Sequence, residues 1–268
     1  MGGRAEGDRM LALLPPGSCG AVPEGSDPKV LGSLLALLVH DLRNPLSALH
    51  SNIDFLVSTL AEMGEDTRGA LDDAVVSCDS LINIVDNAEL LAFNLQGLAE
   101  RPGETLGVAA VVADVVARHR LLARSHGIEV EVAPTAADPD ARVVAHREMY
   151  VRAFANLLRN GIQHSAARNV RVWLEDAGQR LRLAVGDAGP CLGEDYRTAA
   201  FSASGQLTTK GRSGGRYGRG LGLLAARLAA ESAGACIEVA APPADLNCAL
   251  VLSAPTGPRR RTEHPVED

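Results

Sequence analysis

The chain has 268 residues, 46% of them hydrophobic and only 3% aromatic, with a formal net charge of −7 at pH 7. That length holds two small domains, whose cores must be built from Leu, Val and Ala rather than from rings, a composition that suits helices. The negative balance argues against nucleic acid as a main partner. No apolar run approaches the roughly 18 residues of a membrane span, so no membrane insertion is expected.

Residues 1–28 are rich in Gly, Pro and Asp and are expected to be a disordered tail. Their apolar patch, Met10 to Leu14, is cut by Pro15-Pro16 and is too short for a secretory signal. Leu35, Leu38, Leu42, Leu46, Leu49, Ile53, Leu56 and Leu60 then recur at spacings of three and four, which predicts an amphipathic helix. His40 lies two residues from both Leu38 and Leu42 and so faces away from that stripe, with Asn44 and Ser47 on its own face. The run His40-Asp41-Leu42-Arg43-Asn44-Pro45-Leu46 sets a histidine beside a carboxylate, with an amide one turn later. Neutral imidazole is a good nucleophile near pH 7, and a nearby carboxylate stabilises the cation that develops as it attacks. After a turn-like break at Met63 to Thr67, a second stripe follows in Leu71, Val75, Cys78, Ile82 and Val85. A lone hairpin cannot bury both stripes well. Pairing with a second hairpin gives a four-helix bundle, hence an expected homodimer.

Arg101-Pro102-Gly103 marks the boundary to a second region. There Gly107 to Leu122 reads as a helix, Ile128 to Ala133 as a short strand and Arg147 to Gln163 as another helix. On this helix and its end, Asn156, Asn160 and His164 are four residues apart and share one polar face. Asparagine is a poor helix former, so two stacked at i, i+4 suggest a task for their amide oxygens. Asn169 to Leu174 and Gln179 to Val185 read as strands about the turn Asp176-Ala177-Gly178. The second strand runs into Gly186-Asp187-Ala188-Gly189-Pro190-Cys191, and Asp-x-Gly at a strand end, taken alone, is usually just a turn. The stretch from Pro190 to Gly218 is rich in Ser, Thr and Gly and reads as a lid. Gly218-Arg219-Gly220-Leu221-Gly222-Leu223-Leu224 precedes the alanine-rich helix Ala225 to Ala233. Closely spaced glycines before a helix let backbone amides approach a phosphate. Ala235 to Ala240 and Asn247 to Ser253 complete the strands of an α/β sandwich, with helices on one face of a mixed sheet. The five cysteines show no Cys-x-x-Cys spacing, which argues against a metal site or disulfide framework and makes a reducing cytoplasm the simpler expectation.

In this order the four motifs resemble the H, N, G1 and G2 boxes of the sensor histidine kinases of two-component systems, with Phe201 where that family has its F-box aromatic. The resemblance implies an α+β chain. A helical hairpin for dimerisation and histidine phosphotransfer would span 29–100, and an α/β sandwich ATP-binding domain of the GHKL type 104–256, with a flexible tail at 257–268. It implies His40 as phosphoacceptor, Asp41 as general base and Asn44 as the residue that orients water for dephosphorylation. Asn156, Asn160, His164, Asp187, Gly189, Gly218, Gly220, Leu221 and Gly222 would bind ATP, with Asp187 accepting from the adenine amine and Asn160 ligating Mg²⁺. The implied partners are the receiver domain of a response regulator and a second copy of the chain. Because no room is left for a sensor domain, any signal is expected through a separate sensor protein or the short tail.

Three positions depart from the family pattern. Cys191 stands where the G1 box usually ends in glycine, Gln163 where a Lys is common, and His146 where an acidic residue often opens the N-box helix. They motivate two alternatives to a kinase: a binding module that docks a response regulator with a degenerate nucleotide site, and a net phosphatase using Asn44.

Overall fold

The computed structural model describes residues 41–42, 45, 48–49, 51, 55–56, 65–95, 102–190, 200–203 and 221–258. His40, Asn44, Cys191, Gly218 and Gly220 lie outside the described residues. Those described between Asp41 and Leu56 are helical, Pro45 included. A long helix, α1, follows at Glu65–Leu95. Its expected stripe of Leu71, Val75, Cys78, Ile82 and Val85 is exposed, Ile82 and Val85 to 59% each. The neighbouring face carries Ile84, Ala88 and Leu91, which pack on the second region.

That region is a layered sandwich. In chain order it runs β1 (Glu104–Gly107), α2 (Val108–Arg118), α3 (Arg120–Ser125) and β2 (Glu129–Val132). A 3₁₀ turn at Pro134–Ala137, β3 (Arg142–Ala145), α4 (Arg147–His164), β4 (Asn169–Asp176) and β5 (Arg180–Asp187) follow. Then come α5 (Gly222–Ser232), β6 (Cys236–Ala240) and β7 (Cys248–Pro255). The main sheet has the order β2-β4-β5-β7-β6; β2 and β4 are parallel and the other pairs antiparallel. The β4–β5 hairpin turns at Gly178, whose φ of 78° only glycine adopts readily.

Strand alternation puts Val170, Val172, Leu181, Leu183, Val185, Leu250 and Leu252 on one face, buried against Val111, Val112 and Val115 of α2 and Phe154, Leu157 and Leu158 of α4. The opposite face mixes apolar Ala184, Ala249 and Val251 with ion pairs: Arg171 pairs with Glu131 at 3.0 Å and Asp245 at 2.8 Å, and Arg182 with Glu175 at 2.7 Å. The helices therefore cover one side of a mixed sheet, the expected α+β layering. No described helix is long and apolar enough to cross a membrane.

Two local features differ from expectation. The helix expected over Gly107 to Leu122 is broken at His119, where the His119 N–H is shared between the Val115 and Val116 carbonyls and the ring Nδ1 lies 2.8 Å from the Val115 carbonyl. That tightened turn ends α2, and α3 restarts and runs on to Ser125. The small sheet of β1 and β3, paired from Glu104↔Ala145 to Gly107↔Arg142, was not anticipated, because four residues are too few to set an alternating pattern.

Candidate active site

The site is organised by α4. Met149, Ala153, Phe154, Leu157, Leu158 and Ile162 are buried, and Gly161 lets the helix settle on the sheet: a Cβ there would stand 3.2 Å from Val185 and 3.3 Å from Val170. The polar face of the helix is not solvated. Asn156 and Asn160 are buried, at 4% and 9% exposure, which excludes a reading of them as idle surface amides.

The aspartate turn joins the C-terminal end of this helix. Asp187 ends β5 on the sheet's helix-covered face and is almost fully buried. Its Oδ1 accepts from the Gly189 N–H at 2.7 Å, and its carbonyl accepts from the Asn247 N–H at 2.9 Å. Asn247 also donates through Nδ2 to the Ala188 carbonyl at 2.8 Å, so the turn is fixed from both sides. At Gly189 a Cβ would fall 2.1 Å from the His164 carbonyl oxygen and 2.7 Å from Asp187 Oδ1. Only glycine permits that approach, which brings His164 against the Asp187 turn.

The glycine-flanked helix meets α4 nearer its middle. A Cβ on Gly222, the first residue of α5, would find only Asn156 Oδ1, at 3.9 Å, within 4 Å among the described residues. The start of α5 thus lies beside the Asn156 amide, and a helix N-terminus favours an anion. Leu221 just before it is buried and packs with Leu224 and Leu228. Phe201 is buried as well, and its carbonyl accepts from Arg227 Nη1 at 3.3 Å, which ties that segment to α5. The structure therefore brings together Asn156, Asn160, His164, Asp187, Gly189, Leu221 and Gly222. Asp41 is helical and half-buried.

One element was not foreseen. Asn87 of α1 and Asn156 form a reciprocal amide pair, with Asn87 Nδ2 to Asn156 Oδ1 at 3.3 Å and Asn156 Nδ2 to Asn87 Oδ1 at 3.2 Å. A turn along α4, Arg159 donates to Ser80 Oγ, and Ser80 in turn donates to the Val76 carbonyl at 2.8 Å. Burial pulls the Arg159 pKa below its ordinary value, while Asp79 favours the charged form. A trace of this existed in the sequence: Ala74, Ile84, Ala88 and Leu91 form a second apolar seam on α1, and Asn87 interrupts it.

Comparison with known proteins finds two domain families along the chain. The His Kinase A (phospho-acceptor) domain matches residues 30–94, and the histidine kinase-, DNA gyrase B- and HSP90-like ATPase matches residues 145–260. Among solved structures, the Acinetobacter baumannii histidine kinase AdeS is 16% identical, covers 82% of this chain and 98% of its own, and superposes with a TM-score of 0.52. Full-length ShkA, solved in complex with AMPPNP, is 18% identical, covers 79% of this chain and 46% of its own, with a TM-score of 0.52. At these identities the likeness is one of fold. No curated protein sequence matches. A phosphoacceptor helical region followed by an ATPase sandwich defines a phosphotransfer protein that binds ATP. The chain carries the core of a two-component histidine kinase, a phosphoacceptor domain joined to an ATPase domain.

Proposed function

We propose that the protein is an ATP-dependent histidine kinase that phosphorylates itself on His40 and passes the phosphoryl group to an aspartate on the receiver domain of a response regulator. In this reading the His40 ring attacks the γ-phosphate while Asp41 takes the proton from the other ring nitrogen. Asp187 accepts from the adenine amine, and the backbone at Gly222 faces the phosphates. The Asn160 amide, a hard oxygen donor on a buried helix face, would hold Mg²⁺, which keeps water and phosphate oxygens in its shell and offsets phosphate charge. Catalysis is then positioning and charge stabilisation, as in phosphoryl transfer generally.

The observation that supports the reading is that Gly222 and the Asp187 turn meet one helix at Asn156 and His164, either side of buried Asn160, in a chain that also holds the His40 run. The exposed seam of Leu71, Val75, Ile82 and Val85 supports a homodimer through a four-helix bundle, since residues spaced three and four apart pack helix on helix. The test is direct. Purified protein given labelled ATP and Mg²⁺ gains an acid-labile label, and His40→Gln abolishes it. A label that persists in the variant removes His40 from this role. Cys191 and Gln163 motivate the second reading, a binding module with a degenerate nucleotide site; retained regulator binding without ATP affinity would favour it.

A further inference from the structure

The loop between β6 and β7 grips the back of the aspartate turn with consecutive residues, Asp245, Leu246 and Asn247. Asp245 pairs with Arg171 of β4 through both oxygens, at 3.2 Å to Nη1 and 2.8 Å to Nη2. Arg171 also pairs with Glu131 of β2 at 3.0 Å, so the loop is tied across two strands. Leu246 is buried and, with Trp173, lies against the backbone of Gly186: a Cβ there would stand 2.7 Å from Leu246 Cδ1 and 2.7 Å from Trp173 Cζ3. Asn247 comes next and is exposed. It nevertheless makes two bonds to the turn, from its N–H to the Asp187 carbonyl at 2.9 Å and from Nδ2 to the Ala188 carbonyl at 2.8 Å. The second bond reaches the carboxylate. The peptide unit that carries the Ala188 carbonyl also carries the Gly189 N–H, which donates to Asp187 Oδ1 at 2.7 Å. A peptide unit is planar, so holding its oxygen aims its N–H. Accepting at the oxygen also polarises the N–H and strengthens the bond it donates.

We propose that Asn247 is a positioning residue for base recognition: through the Ala188–Gly189 peptide it sets the direction in which the Asp187 carboxylate meets the amine of the nucleobase. The proposal rests on the reading of Asp187 given above. Asn247 acts through the peptide and not on the base itself. Stability alone does not account for its side-chain bond, because an exposed amide that exchanges water for a carbonyl gains only about 1 kcal/mol. The direction of the bond is unambiguous, since only the amide nitrogen can face a carbonyl oxygen. The Asp245 ion pair and the packing of Leu246 fix the loop beforehand, so Asn247 holds the turn in place before a base arrives. A hydrogen bond weakens steeply as its angle closes, so a carboxylate turned away from the amine loses the contact even when it stays near. Both Asn247 bonds go to the turn. Losing them should therefore weaken the base contact and spare the phosphates at the start of α5.

The test titrates the full chain, Asn247→Ala and Asn247→Asp with ADP and with purine riboside diphosphate, which lacks the exocyclic amine. Asn247→Ala removes the side-chain donor. Asn247→Asp keeps the size and the backbone N–H but sets an oxygen against the Ala188 carbonyl. The ratio of the two affinities reads the amine contact alone, and a charge felt equally by both nucleotides cancels in it. The wild type should bind ADP about tenfold or more tighter than the nucleotide without the amine, as a hydrogen bond to a carboxylate allows. In both variants that preference should fall about three- to tenfold, with the amine-free nucleotide bound by Asn247→Ala as by the wild type. A preference kept by either variant overturns the positioning role alone. Equal loss of both nucleotides in Asn247→Ala also overturns it, since Asn247 would then support the site as a whole. No preference, or no binding, in the wild type removes the reading of Asp187 and the proposal with it.

Discussion

Two faces of α1 meet different worlds. Leu71, Val75, Ile82 and Val85 project from one side and are exposed, whereas Ile84, Asn87, Ala88 and Leu91 on the next side pack against the sandwich. The first face is apolar, and exposed apolar stripes at helical spacing mark interaction surfaces. The second mixes apolar contacts, including Leu90 set in the main core, with an amide pair and a guanidinium. What differs is not which face is buried but how costly it is to uncover it. Uncovering the polar seam returns its groups to water, where they are well solvated; uncovering the apolar one is unfavourable throughout.

The largest expected effect is on the outward face. Placing Asp at both Ile82 and Val85 buries unpaired carboxylates in the bundle, at about 3 kcal/mol or more. Sedimentation should show the dimer lost, with the thermal unfolding of the sandwich unchanged. A dimer that survives would mean that this face is not the bundle seam.

A smaller effect is expected where α1, α2 and α4 meet. Burial lowers the His119 pKa from its ordinary 6.5, the Val115 carbonyl and Asp79 oppose this, and Arg159 and Arg118 add to it. The unfolded chain therefore binds the proton more readily than the folded one. The stability that neutral His119 contributes is full above pH 6.5 and is lost as pH falls through the lowered folded value. Chemical denaturation between pH 7.5 and 5 should show this loss, and His119→Gln should flatten that part of the profile. An unchanged profile in the variant would remove His119 as its source.

Much of the fold was legible because strong periodicity wins locally. The α4 helix starts at Arg147 as expected and ends one residue later, and the β4 and β5 strands start within a residue of expectation. The Asp187 turn fell where its motif suggested, whereas the helix expected over Ala225 to Ala233 starts three residues earlier, at Gly222, and ends at Ser232. What escaped was non-local. Nothing in the spacing of the Asn helix says that Asn156 bonds a residue 69 positions earlier. The break at His119 depends on one ring nitrogen finding a carbonyl a turn back, which periodicity does not encode. β1 and β3 exist through each other, since neither four-residue strand carries a pattern of its own.

Where the phosphoryl group lands tests the account most directly. After incubation with ATP and Mg²⁺ and digestion at neutral pH, mass spectrometry should find a single phosphorylated peptide with the modification on His40. Phosphate on another residue, or a chain that binds nucleotide and stays unmodified, would contradict it.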